Sequence, residues 1–319
     1  MITLEDVRAA AERIRPFVVR TPLERSARLS ELRGQNVWLK FECFQRTGSF
    51  KLRGALNALL CLTEAERERG VLTVSAGNHG LGVASAAAQL GLRATVIVPE
   101  TASTAKVEAL RHSGAELLVR GASYDAAEAA GRALAAEHGS VFVSAYNDPR
   151  VVAGGGTIAL ELFEDLPGTR TLVVPAGGGG LISGMGVASH GLDPQATIYG
   201  AQPEASPALH AAQGAGRLIK VDTDDSLADG LVGNVEAGSI TFDLVQRHVR
   251  EIVLVSEADI AAAMRLLLEE EHALVEGAGA VGVAALRRDL IDARDGPLVV
   301  VLTGRNVAAS VLRQYVLDC

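Results

Sequence analysis

Short β-branched runs alternate with alanine-rich helical stretches through most of this 319-residue chain, and that alternation restricts the fold more than any other feature. The candidate strands are Val71–Val74, Ala94–Val98, Glu116–Val119, Val141–Ser144, Leu172–Pro175, Thr197–Gly200, Ile252–Val255 and Leu298–Leu302. Between them the spacing predicts amphipathic helices over Leu81–Leu90, Ala105–His112, Tyr124–His138 and Ala258–Glu271. Ser256 and Asp259 open the last of these at capping-box spacing, as Thr3 and Asp6 do near the start of the chain. Strands separated by helices build parallel sheets with helices on both faces, and the unbroken apolar character of these strands fits burial from two sides. The expected fold class is therefore α/β on open parallel sheets. No repeat of solenoid period is present. The strongest domain boundary is the polar, turn-rich Ser144–Pro149, and a second break falls near Gly48. The stretch Ala205–Ser239 reads as loops with short helices.

The chain is long enough for two domains. Its net charge of −8, with no basic run, argues against nucleic acid as a partner. Cys43, Cys61 and Cys319 form no CxxC and no even framework, which fits a reducing cytosol. The acidic N-terminus lacks the basic start and apolar core of a signal peptide, and no apolar run is long enough to span a membrane. A cytoplasmic protein with no membrane partner is expected.

Ligands of open parallel α/β sheets bind beyond the carboxyl ends of the strands, and several loops there carry unusual residues. Ser75-Ala76-Gly77-Asn78-His79-Gly80 follows a strand and opens a helix, so its amides suit a carboxylate or phosphate. An ordinary glycine turn with a capping asparagine gives the same string. Pro175-Ala176-Gly177-Gly178-Gly179-Gly180-Leu181 brings bare backbone amides close to an anion. A dinucleotide site would want GxGxxG and an acid at a strand end, and Asp193 sits in a turn instead. A monophosphate is the better ligand. Thr303-Gly304-Arg305-Asn306 places a hydroxyl at a strand's carboxyl end, where it meets a ring nitrogen or merely caps the next helix. The small residues of Val275-Glu276-Gly277-Ala278-Gly279-Ala280 permit either close ligand approach or tight helix packing. No metal spacing emerges from His79, His112, His138, His190, His210, His248 and His272, and there is no GxSxG elbow.

Ser49-Phe50-Lys51-Leu52-Arg53-Gly54-Ala55 breaks a local rule. Thr47-Gly48-Ser49 reads as a turn and N-cap, with a helix over Lys51–Leu62. The first turn of a helix favours acids, and two cations stand there instead. A lysine held at a positive helix end and partly desolvated has a lowered pKa and becomes an amine nucleophile. The competing possibility is a solvated lysine that happens to open a helix.

Taken in order, these segments resemble the threonine dehydratase and serine racemase family of fold-type II pyridoxal phosphate enzymes, over nearly the full chain. Gln45-Arg46-Thr47-Gly48 together with Ser49 to Ala55 resembles that family's cofactor-lysine signature. Ser75 to His79 resembles its substrate-carboxylate loop, Gly177 to Leu181 its phosphate loop, and Thr303 to Asn306 its pyridine-nitrogen segment. The resemblance implies a tryptophan synthase β-like architecture of two open parallel-sheet α/β domains, the smaller inserted into the larger. Residues 1–48 and 149–319 would form the large cofactor domain and 49–148 the small mobile one. It implies pyridoxal 5'-phosphate carried covalently by Lys51, with Phe50 beside the ring and Asn78 on the ring's 3'-oxygen. It further implies the phosphate on the amides of Gly177, Gly178, Gly179, Gly180 and Leu181, and Thr303 at the ring nitrogen. Ser75, Ala76, Gly77, Asn78 and His79 would bind an amino-acid substrate.

Three departures from the family pattern matter. Thr303 stands where serine is usual, and Arg305 replaces a small residue. Gln202 occupies the place of an acidic metal ligand after the Thr197–Gly200 strand, so no metal is expected. The chain ends soon after Asn306, so the regulatory domain of biosynthetic threonine dehydratases is not expected. The activity implied is β-elimination from L-threonine or L-serine to a 2-oxo acid and ammonia, by a homodimer or homotetramer. Amino-acid racemisation and hydroxyaspartate dehydration are the alternatives, and Ala76 counts against racemisation because a serine does the opposite-face work in the related racemases. A non-catalytic pyridoxal phosphate carrier is the reading from a different class.

Overall fold

The computed structural model describes residues 2–102, 104–293 and 296–317; Cys319 lies outside the described residues. Ten strands are described: β1 (Leu23–Ser26), β2 (Val37–Lys40), β3 (Val71–Val74), β4 (Ala94–Val98), β5 (Glu116–Val119), β6 (Val141–Phe142), β7 (Thr171–Pro175), β8 (Thr197–Pro203), β9 (Glu251–Val255) and β10 (Leu298–Val301). They form two sheets. One has six strands in the order β1-β2-β10-β7-β8-β9, and the other has four in the order β5-β4-β3-β6. Every pairing is parallel except that of β1 with β2.

β3, β7, β8 and β10, all interior strands, are buried along their whole length, as continuous apolar runs require. β5 departs from that expectation. It is an edge strand, and Val119 is 52% exposed. The strand at Val141–Ser144 is shorter than expected, since ladder pairing stops at Phe142. The one at Thr197–Gly200 is longer and carries Gln202 inside β8 rather than after it. β1 and β2 have no counterpart among the expected strands, for two reasons. β1 is polar and half exposed, and β2 ends on a lysine. Lys40 can be buried because its Nζ meets Glu161 at 2.7 Å and Thr21 O at 2.8 Å.

One helix, Pro149–Asp165, joins the two halves of the molecule through its Gly154-Gly155-Gly156 run. A Cβ on Gly154 would stand 2.6 Å from Arg53 O, and one on Gly156 2.6 Å from Gly184 O. These glycines let the helix touch the backbones of both the Lys51–Leu60 helix and the Gly180–Leu192 helix. The lysine helix and the glycine loop are thereby both packed near one helix. Elsewhere the helix Tyr124–His138 matches its expected span, and Ala205–Ser239 contains only the helix Ala208–Ala215 and a short turn at Asp229–Leu231.

Candidate active site

The carboxyl ends of β3, β6, β7 and β10 converge, and the loops singled out in the sequence follow three of them. The expected N-cap at Thr47–Ser49 is not formed. Phe50 is the N-cap residue of the lysine helix and makes no side-chain capping bond. Ser49 is instead paired with Gly304 in an antiparallel bridge. Phe50 N–H donates to Thr303 O at 3.0 Å, and Arg305 N–H to Gly48 O at 2.9 Å. These bonds tie the start of the lysine helix to the segment after β10. The capping role gives way to a long-range pairing that local sequence does not reveal.

Lys51 Nζ donates to Ala145 O at 2.9 Å and lies 5.2 Å from the centroid of the Phe50 ring. Burial lowers its pKa from the ordinary 10.5 to about 8, and the charge of Glu276 opposes part of that shift. Desolvation is thus the leading cause. The imidazole of His79 is buried near the same amine, with Nε2 at 3.1 Å from Val143 O. A carbonyl only accepts, so Nε2 carries the proton and Nδ1 is bare. Nδ1 has no partner among the described residues. Burial and the Lys51 charge push the His79 pKa down to about 3, which keeps the ring neutral.

The glycine loop follows β7. Among the described residues no protein acceptor takes the amide N–H of Gly177, Gly178, Gly179, Gly180 or Leu181. Gly179 has φ +87°, a left-handed conformation that favours glycine, and Thr241 Oγ1 donates to Gly178 O at 2.7 Å to fix the loop. A Cβ on Gly178 would strike the Tyr146 ring, and one on Gly180 would stand 2.9 Å from Tyr146 Cα. In the sequence Tyr146 belongs only to a boundary segment. Here its hydroxyl accepts from Glu236 N–H at 3.1 Å, and its ring walls the loop. The signal available in the sequence is an aromatic residue just past a strand end.

After β3, Gly77 N–H donates to Ser75 Oγ at 3.2 Å, and Asn78 begins the helix Asn78–Leu90. Ala76 and Gly77 lie in the same half-buried loop. Asn78 Nδ2 donates to Glu276 Oε1 at 2.6 Å, and Asn306 Nδ2 donates to Asn78 Oδ1 at 2.6 Å. Burial and the charge of Asp229 push the Glu276 carboxyl up to about 7. In the sequence Glu276 stands out only for the small residues after it. Thr303 is buried, and among the described residues its Oγ1 has only a long contact, 3.5 Å, to Ala278 O. Gln202 is buried in β8, where its Oε1 accepts from His210 N–H at 3.1 Å.

An amine held, among the described residues, by a single carbonyl and a row of amides without protein acceptors are the donors that an aldehyde and a phosphate monoester call for. The family profile described as pyridoxal-phosphate dependent enzyme matches residues 14–304. The chain is 43% identical over 316 residues to an L-threonine ammonia-lyase of Thermotoga maritima, covering 99% of this chain and 78% of that one. It is 39% identical to an L-threo-3-hydroxyaspartate ammonia-lyase of a Pseudomonas species, covering 95% of this chain and 94% of that one. Its fold superposes on the structure of maize serine racemase with a TM-score of 0.93 at 32% identity, covering 98% of this chain and 96% of that chain. The chain belongs to the fold-type II pyridoxal-phosphate dependent enzymes, and pyridoxal 5'-phosphate is its cofactor.

Proposed function

We propose that this enzyme is a hydroxy-amino-acid dehydratase that converts L-threonine or L-serine to a 2-oxo acid and ammonia. The observation that carries the reading is the state of Lys51: a desolvated amine with one carbonyl partner, its pKa near 8. The bound cofactor supplies the electron sink for proton removal at the substrate's Cα. Lys51 would be the residue that holds the cofactor, and its free Nζ would take the α-proton. The β-hydroxyl would leave as water with the proton that Lys51 Nζ took from Cα, and the unsaturated amine released would hydrolyse to the 2-oxo acid and ammonia. The amides of Gly177 to Leu181 would hold the phosphate, and Phe50 would flank the ring. Asn78 would donate to the ring oxygen, while Thr303 would offer a neutral hydroxyl to the ring nitrogen. Ser75, Ala76, Gly77, Asn78 and His79 form the loop that holds the substrate carboxylate through backbone amides and the Ser75 hydroxyl. His79 contributes no charge, because its buried ring stays neutral.

In this reading residues 49–148 move as a small domain against 1–48 and 149–319. The Lys106–Asp229 and Arg132–Glu236 ion pairs cross that division and support a closed arrangement. Exposed Phe44, Tyr315 and Leu317 support a homodimer or homotetramer, and the free thiols of Cys43 and Cys61 support a cytoplasmic setting. Elimination is favoured over racemisation because the Ala76 side chain has no proton to give to the opposite face of the substrate. The test is 2-oxo acid release from L-serine, L-threonine and 3-hydroxyaspartate, with chiral chromatography of the residual substrate. Turnover of threonine or serine well ahead of enantiomer interconversion is expected. Interconversion as fast as 2-oxo acid release would overturn the assignment.

A further inference from the structure

The side-chain amide of Asn78 is held from both ends. Glu276 Oε1 takes an N–H from Nδ2 at 2.6 Å, and Oδ1 accepts from Asn306 Nδ2 at 2.6 Å. Asn306 Nδ2 also donates to Thr47 O at 2.9 Å, and since a carbonyl only accepts, that bond fixes which end of Asn306 faces Asn78. Two glycines make the approach possible. A Cβ on Gly304 would collide with Glu276 Oε1 and stand 3.1 Å from Asn78 Nδ2, and one on Gly48 would stand 2.6 Å from Asn306 Oδ1. Glu276 is the N-cap residue of the helix Gly277–Arg287, yet its side chain makes no capping bond. Its carboxylate takes the Asn78 amide and the Asn306 backbone N–H instead, at the cost of burial beside Asp229.

An amide has two N–H donors and one carbonyl oxygen. With a carboxylate on its nitrogen and an N–H donor on its oxygen, Asn78 cannot flip without opposing like groups at both ends. One N–H is left over. We propose that Glu276 is a positioning residue for the cofactor: through Asn78 it ensures that a donor, and not an acceptor, faces the ring oxygen of pyridoxal phosphate. The proposal rests on the reading of Asn78 given above. Glu276 itself touches no reacting atom.

The experiment is a double-mutant cycle on cofactor affinity, read by absorbance titration of apoprotein with pyridoxal phosphate at pH 8.5, where Glu276 is ionised. Glu276→Met removes the acceptor and should weaken binding about tenfold and displace the visible band of the bound cofactor. Glu276→Gln keeps an acceptor oxygen and should stay within about threefold of the wild type. In an Asn78→Ala background, Glu276→Met should add almost nothing, because its effect passes through that amide. Asn306→Ala removes the donor to Asn78 Oδ1, runs the same cycle from the other end and is read the same way. An equal loss from Glu276→Met in both backgrounds, or no loss with an unmoved band, would overturn the proposal alone. A wild-type chain that binds no pyridoxal phosphate would overturn the cofactor reading beneath it, and that is seen before any variant is made.

Discussion

Lys51 and Arg53 stand two residues apart in the first turn of one helix, and their surroundings are opposite. Arg53 is 1% exposed and wholly engaged. It meets Glu42 through Nε and an Nη at 2.8 Å each, and Glu161 at 2.7 and 3.0 Å. Lys40 and Thr21 complete the cluster around the same two carboxylates. Among the described residues, Lys51 has one carbonyl and no carboxylate in hydrogen-bond contact. Burial alone would strip both cations of solvation, yet the carboxylates beside Arg53 raise its pKa above the usual arginine value while that of Lys51 falls. Cations that break the same helix rule therefore separate by partner. The satisfied one holds the fold together, and the unsatisfied one is available for chemistry.

That contrast can be broken by deletion. Arg53→Met leaves Glu42 and Glu161 buried without their main partner and should cost about 3–5 kcal/mol of stability, measured by denaturant unfolding of the apoprotein. Lys51→Met removes a cation that the folded state disfavours. At pH 7 it should leave the apoprotein as stable as the wild type, or more stable, while abolishing turnover. Comparable destabilisation by both variants would show that the two cations do not differ in kind.

A smaller effect sharpens the same point. The Lys51 pKa is lowered from 10.5 to about 8, so between those values the unfolded chain binds more protons than the folded one. Stability contributed by this group therefore rises with pH across about 8 to 10.5 and is least favourable below it. The neutral amine also becomes available over the lower part of that range. Stopped-flow rates of cofactor attachment to apoprotein should climb with pH and level off above a midpoint near 8. A midpoint near 10.5 would mean that the amine is solvated after all.

The loops are legible in the sequence because glycines and polar residues directly after an apolar strand add nothing to a core. They mark backbone that turns sharply or lies open to a ligand. Both cations of the lysine helix are conspicuous as well, but nothing local separates them. Their difference depends on Glu42 and on Glu161, the latter 108 residues from Arg53 along the chain. Glu276 is hidden for the same reason, since it lies 198 residues from Asn78 and acquires meaning only when the ends of β3 and β10 meet. β2 escapes notice because a lysine at a strand end looks solvated until its buried carboxylate is known. The Ser49 cap fails because a long-range bridge to Gly304 claims that segment. Local chemistry can be read from local sequence, whereas charge pairing across elements cannot.

The most direct test of the account is the identity of the lysine that carries the cofactor. The lysines of the chain are Lys40, Lys51, Lys106 and Lys220. Lys40 is paired with Glu161 and Lys106 with Asp229. Borohydride reduction of the holoenzyme, proteolysis and mass spectrometry of the peptides would locate the pyridoxyl group. The account predicts it on Lys51. A label on Lys40, Lys106 or Lys220, with Lys51 unmodified, would contradict it.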